Sequence, residues 1–342
     1  MSTQTHHQWL IADRPIGREL RVADFRLEQV PVGEPRDGEV LVRSLYLSFD
    51  PAQKSWMENV ASYRDSVEVG GVMPGRGIGR VLVSRHPDFA PGDVVHGELG
   101  WAEQPVVAGS ELARIPEGAP FTAALSVLGT TGKTAYLGLM NIGKPKPGDT
   151  VVISGAAGAT GSVVGQIAKL GGCRVIGIAG GAEKCAWLTD DLGFDGAIDY
   201  KSEKVRSRLR ELCPKGVDVF WDNVGGDILN DALARLAVGA RVVICGGITR
   251  YNFDARNPEQ MPAGPRNYFN VVFTGATIQG FLMSHFESQY AVAEARLLDW
   301  VKSGAIQYKE DVREGFENAP AALMALFAGD NFGKQLLKLS EG

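Results

Sequence analysis

The sequence predicts an α/β protein in which a doubly wound parallel sheet is joined to a smaller β-rich domain. Three observations carry this reading. Past residue 150, short apolar runs alternate with segments of helical spacing, the pattern of strands buried on both faces of a sheet. Many of the 43 glycines fall at the junctions, where a positive φ or a close approach is needed. The first third instead offers short alternating runs between turn clusters, with no helix-length amphipathic stretch. At 342 residues the chain is long enough for two domains.

In the β-rich part, strands are predicted over 39–47, 79–83, 93–96 and 111–115, with turns at residues 31–38 and at Ala90-Pro91-Gly92-Asp93. A small-residue helical stretch over 121–140 closes at Lys144-Pro145-Lys146-Pro147-Gly148-Asp149. The alternation then begins. Strands are expected at 150–154, 174–178, 196–199, 217–222 and 240–245; helices fall between them at 159–170, 183–192, 202–212 and 227–237. Residues 249–270, rich in Pro, Asn and Gly, are too long and irregular for a simple connection and predict a functional lid or ligand wall. Residues 271–283 read as a strand and 291–301 as a helix, and 305–339 resume a mixed character.

The run Val151-Val152-Ile153-Ser154-Gly155-Ala156-Ala157-Gly158-Ala159-Thr160-Gly161 puts glycines between a strand and a helix. A dinucleotide pyrophosphate sits at such a junction, on backbone N–H groups and the positive end of the helix. A side chain at Gly158 would block the phosphates, and Gly161 lets the helix pack tightly. A plain tight turn would also use glycine, but the strand before, the helix after and the next strand–helix pair favour a cofactor. The second strand ends Ile178-Ala179-Gly180-Gly181-Ala182-Glu183-Lys184. An enzyme for NAD usually has an acid there, for the ribose 2′-hydroxyl. Gly180 leaves room for a 2′-phosphate, and Lys184 follows with positive charge. NADP(H) is the expected cofactor.

The net charge of −5 and the lack of a basic cluster argue against nucleic acid. No apolar run is long enough for a bilayer, and the polar start, broken by Pro15, does not read as a secretory signal. Cys173, Cys185, Cys213 and Cys245 form no Cys-x-x-Cys pair and read as buried, reduced thiols of a cytoplasmic protein. None of the histidines His6, His7, His86, His96 and His285 is spaced with a cysteine as metal ligands would be. No metal site is expected, and no Gly-x-Ser-x-Gly elbow suggests hydrolysis.

The chain resembles the zinc-independent medium-chain dehydrogenase/reductases, in the branch of leukotriene B4 12-hydroxydehydrogenase, or prostaglandin reductase. The strings that carry this are Gly158 to Lys169, Glu183-Lys184, Asp199-Tyr200-Lys201, Asp222-Asn223-Val224-Gly225-Gly226, Gly315-Phe316-Glu317-Asn318-Ala319-Pro320 and Gly329-Asp330-Asn331-Phe332-Gly333-Lys334. The resemblance spans nearly the whole chain. It implies a GroES-like catalytic domain over 1–125, joined by the tail 305–342, and an NADP-binding Rossmann domain over 126–304. It implies reduction of the C=C bond of α,β-unsaturated ketones and aldehydes, by hydride delivery to the β-carbon, in a homodimer.

The implied cofactor residues are Gly158, Ala159, Thr160 and Gly161 for the pyrophosphate, and Lys184 and Tyr200 for the 2′-phosphate. Asn223 follows as a further cofactor contact. Cys245, Gly246, Gly247, Ile248, Thr249 and Tyr251, with Phe281, Leu282, Met283 and Asn331, would surround the nicotinamide. The chain departs from the pattern at two tyrosines. Ala52 follows Asp50-Pro51 where many relatives carry Tyr, and Phe273 stands for another. Tyr251, Tyr63 and Tyr268 remain as proton-donor candidates, Tyr251 first because its Ile-Thr-Arg-Tyr-Asn context matches. Two other functions stay open on residues alone: NADPH:quinone reduction by the same chemistry, and a non-catalytic NADPH-binding module.

Overall fold

The structure, a computed structural model, describes residues 4–60, 64–257 and 259–340. The chain opens with an antiparallel hairpin of β1 (Thr5–Ile11) and β2 (Phe25–Pro31). This is absent from the sequence reading, because β1 does not alternate: Trp9, Leu10 and Ile11 are buried in a row, and the polar His6 is buried with them. Then come β3 (Glu39–Ser48), α1 (Ala52–Glu58), β4 (Arg76–Ser84), β5 (Val94–Glu98), β6 (Val106–Ala108) and β7 (Leu112–Arg114). Helix α1 is a short addition to this third, where the sequence offers no helix-length amphipathic stretch. Its seven residues are too few to display a helical period, and Asn59 ends it in the left-handed region at φ 58°.

The next stretch holds α2 (Thr130–Gly138), β8 (Thr150–Ser154), α3 (Ala159–Leu170), β9 (Arg174–Ala179), α4 (Ala182–Ala186), β10 (Gly196–Asp199), α5 (Val205–Leu212), β11 (Val217–Asp222), α6 (Gly226–Leu233), β12 (Leu236–Ile244), α7 (Asn270–Thr274), β13 (Thr277–Gly280) and α8 (Tyr290–Lys302). Its sheet is parallel throughout, in the order β10-β9-β8-β11-β12-β13. That is a Rossmann order, with its switch point between β8 and β11. Val152, Ile176, Phe220 and Val242 fill one side, against Leu209 and Leu233 of the helices. The expected strand over 271–283 is instead a helical turn and a four-residue strand. Gly275 stops the turn at φ 60°, and the Asn270 side-chain N–H donates to the Leu233 carbonyl at 3.0 Å, a tertiary bond that overrides the β-branched run.

The tail adds β14 (Glu310–Glu314), α9 (Ala319–Ala328) and β15 (Lys334–Lys338). Strand β15 pairs with β3, extending the first sheet to the order β14-β15-β3-β4-β5-β7. The Trp9 indole N–H donates to the Phe316 carbonyl at 2.9 Å, and Trp101 packs on Phe25 and Phe49 at 5.4 and 5.2 Å. The chain divides into two units: Met1–Leu125, Tyr251–Arg256 and Glu310–Gly342 form the first, Ser126–Arg250 and Asn257–Lys309 the second. The sequence reading puts 251–256 and 305–309 in the other unit. The first moves because Lys54 binds the Tyr251 carbonyl and Phe327 receives its ring. The second moves because the Gln166 side chain of α3 exchanges two hydrogen bonds, both 2.8 Å, with the backbone of Gln307. No helix among the described residues is long and apolar enough to cross a membrane.

Candidate functional site

The second unit gathers the glycine turn at the carboxyl end of β8. Gly155 stands at φ 60°. Gly158 caps α3 with no side-chain hydrogen bond, so the first N–H groups of the helix, at Ala159, Thr160 and Gly161, have no partner from a capping side chain. A Cβ on Gly158 would lie 3.2 Å from the Gly155 carbonyl oxygen, and one on Gly161 would lie 2.4 Å from it. Only glycine closes this turn and leaves the N–H cradle open. The cradle therefore fits a pyrophosphate.

Beside it, the ends of β8 and β11 are tied across the switch point. The buried Ser154 hydroxyl donates to Asp222 Oδ1 at 2.7 Å, and the backbone N–H groups of Val224 and Gly225 donate to the same oxygen. Burial pushes the Asp222 carboxyl up, against the pull of those bonds. The Asn223 side-chain N–H donates to the Ser154 carbonyl at 2.7 Å, and the Trp221 indole N–H donates to Asn223 Oδ1 at 3.0 Å. Asn223 is thus a brace between strands, and its side chain caps no helix here. The N–H groups of Cys245 and Gly246 donate to the Asp222 carbonyl, and the Thr249 hydroxyl donates to the Val224 carbonyl at 2.7 Å. Gly158 to Gly161, Asn223 and Cys245 to Thr249 therefore share one end of the sheet. Phe281 leaves β13 on the same side, its ring beside Trp221 at 6.0 Å, and Leu282 and Met283 follow. Ser154, Trp221 and Asp222 went without a role in the sequence reading. Ser154 ends a strand and looks like any buried residue there, as does Asp222 at the end of β11.

At the ends of β9 and β10, Gly180 faces Tyr200. A Cβ on Gly180 would come within 2.9 Å of the Tyr200 ring and hydroxyl. Lys184 lies in α4, which starts after Gly181 at φ 99°. The nearby carboxylate of Asp199 is turned into its own loop. It accepts from the Gly181 N–H at 2.8 Å, first of the causes holding its pKa below the usual range, and from Lys201 and Ser202. A half-exposed tyrosine and a lysine at the ends of β9 and β10 fit a 2′-phosphate.

Tyr251 and Asn331 belong to the first unit. The Tyr251 ring meets Phe327 edge-on at 5.7 Å, and its carbonyl accepts from Lys54. The Asn331 side-chain N–H donates to the Gly333 carbonyl at 2.9 Å, within its own loop. Tyr268 is exposed and packs on Phe269; Tyr63 lies outside the described residues. Lys54, Glu58 and Lys334 were also missed. Their burial is not signalled in sequence, since Pro15 and Tyr251 for Lys54, and Phe49 and Asp50 for Lys334, come from distant segments. Cys173 and Cys213 are buried, as expected, whereas Cys185 and Cys245 are only partly so. No group of three His, Cys, Asp or Glu able to hold a metal occurs among the described residues.

Two family models match, "N-terminal domain of oxidoreductase" over residues 7–115 and "Zinc-binding dehydrogenase" over 159–302. The NADPH-dependent curcumin reductase of Escherichia coli is 38% identical over 98% of each chain. Prostaglandin reductase 1 of Bos taurus is 40% identical, over 92% of this chain and 94% of its own. The crystal structure of CurA from Vibrio vulnificus in complex with NADPH superposes with a TM-score of 0.91 and 38% identity, covering 98% of this chain and all of that one (100%). The chain belongs to the zinc-independent medium-chain dehydrogenase/reductases, in the branch of the prostaglandin reductases.

Proposed function

We propose that this chain is an NADPH-dependent enone reductase, saturating the C=C bond of α,β-unsaturated ketones and aldehydes. The observation that carries this is the open glycine cradle at the Rossmann switch point, in a chain akin over nearly its whole length to curcumin and prostaglandin reductases. When bound, NADPH supplies the hydride.

Every other part is done by side chains and backbone. The N–H groups of Ala159, Thr160 and Gly161 hold the pyrophosphate, with Gly158 keeping the approach clear. Lys184 and Tyr200 take the 2′-phosphate. Asn223, braced by Ser154 and Trp221, fixes the β8–β11 crevice; Cys245 to Thr249, Phe281 to Met283 and Asn331 serve the nicotinamide end. As the β-carbon gains hydrogen, negative charge gathers on the carbonyl oxygen, which needs a preorganised donor. Tyr251 is that donor in this reading, its Oη–H directed to the substrate oxygen, and the α-carbon then takes a proton. Tyr251 is preferred over Tyr268, whose exposed aromatic neighbours suit a surface better. The catalytic domain is the first unit, residues 1–125, 251–256 and 310–342; the protein works in the cytoplasm, and it is a homodimer. The dimer is supported by the exposed Tyr268, Val272 and Phe273 beside the edge strand β13.

The test is NADPH oxidation by the purified protein with a series of enones and a series of quinones. Enones should turn over far faster. Turnover of quinones alone would replace this reading with quinone reduction, and cofactor binding without any turnover would leave only a binding module.

A further inference from the structure

An ammonium nitrogen has three N–H donors and no acceptor. Lys54 is 0% exposed, and its Nζ donates to three acceptors from three stretches of the first unit. These are the Pro15 carbonyl at 3.2 Å, the Glu58 carboxylate one turn along α1, and the Tyr251 carbonyl. All three donors are used. Glu58, itself buried, supplies the countercharge without which a buried lysine is costly. Burial raises the Glu58 carboxyl and Lys54 opposes this; Asp254 and Arg256, from the same short stretch as Tyr251, act on it with opposite signs. That stretch also lies against Gly17, where a Cβ would stand 3.3 Å from the Asp254 Cβ. The ring of Tyr251 rests on Phe327. One nitrogen therefore holds the backbone of residue 251, and one phenyl ring meets its side chain.

We propose that Lys54 is a positioning residue for the reductase reaction, its ammonium fixing the Tyr251 backbone and so the place from which the Tyr251 hydroxyl reaches the substrate oxygen. This rests on Tyr251 being the donor. Without the ammonium, two carbonyls and a carboxylate lose a common donor, and the Tyr251 backbone loses the hydrogen bond that ties it to α1. Displacements of about 1 Å at a reacting group cost on the order of a hundredfold in rate.

The experiment compares the full-length protein with Lys54→Met, Tyr251→Phe and the double variant, using NADPH and 4-hexen-3-one. Each single change should lower kcat about tenfold or more, and the double variant should be no slower than Tyr251→Phe alone. NADPH affinity, read by fluorescence titration, should stay unchanged in Lys54→Met. Hydrogen exchange should quicken at residues 251–256 in Lys54→Met while the amides of β8 to β12 keep their protection; a general loss of stability would move both. Should Lys54→Met not fold, Lys54→Arg carries the same comparison, since its planar fork cannot place three donors from one nitrogen. Effects that multiply in the double variant, or a full kcat in the lysine variant, overturn the role of Lys54 and leave Tyr251 as donor. A full kcat in Tyr251→Phe removes the donor assignment, and this inference with it.

Discussion

Gly180 and Tyr200 share a space that a Cβ would close, and Lys184 follows one turn into the next helix. A 2′-phosphate there gains a charge-assisted bond, whereas NADH has nothing for the lysine to pair with. Lys184→Ala should therefore weaken NADPH by roughly 1.5–3 kcal/mol, about ten- to a hundredfold in Kd, and leave NADH almost untouched. Titration of both cofactors checks this, and equal losses would make Lys184 structural. The cysteines give a second residue-scale prediction. Burial pushes Cys173 and Cys213 up to about 11, and burial with Asp222 pushes Cys245 up to about 12; burial also raises Cys185. Only the thiolate reacts, so at pH 8 the native protein should alkylate far more slowly than a free thiol. For Cys173, Cys213 and Cys245 the rate should rise about tenfold per pH unit between 8 and 10, with no plateau, because that range stays below their pKa values. Rapid labelling of all four at pH 8 would show that the packing around them opens.

At the scale of elements, Gly161 sets two effects against each other. Alanine in a helix is better than glycine by about 1 kcal/mol, but here its Cβ would stand 2.4 Å from the Gly155 oxygen and 2.9 Å from the Ala156 Cα. Both are backbone atoms of a tight turn and cannot step aside cheaply. The clash wins, so Gly161→Ala should lower stability by roughly 1–3 kcal/mol and weaken NADPH. Denaturant unfolding and cofactor titration together test it; a stabilised variant with full affinity would mean that the turn is looser than drawn. The same sterics explain why this part was legible in sequence. Strands β8, β10 and β11 and helix α3 keep the bounds the sequence predicts, because an apolar run flanked by obligatory glycines admits few alternatives. Helix α1 and the turn before β13 were not legible. The first depends on Lys54 finding Pro15 and Tyr251; the second depends on Asn270 reaching Leu233. Local pattern holds no trace of partners so far along the chain.

For the molecule as a whole, β13 ends its sheet with four exposed residues and pairs with β12 on one side. An open strand edge recruits another chain unless it is covered. Beside it Tyr268, Val272 and Phe273 are 64, 66 and 75% exposed, apolar surface that a monomer in water does not readily leave bare. A second copy of the chain would pair the edge and bury the aromatics together, at an interface of the usual size of about 800 Å² per partner. Light scattering after gel filtration should then report twice the chain mass at micromolar concentration. Phe273→Asp places a charge where apolar contact is expected, and it should shift the protein towards monomer while the parallel sheet stays folded by circular dichroism. Cofactor affinity should survive, since the cradle at Gly155 to Gly161 is built within one chain. A wild-type protein that stays monomeric over the whole concentration range would leave β13 a bare edge and remove the dimer from the proposal.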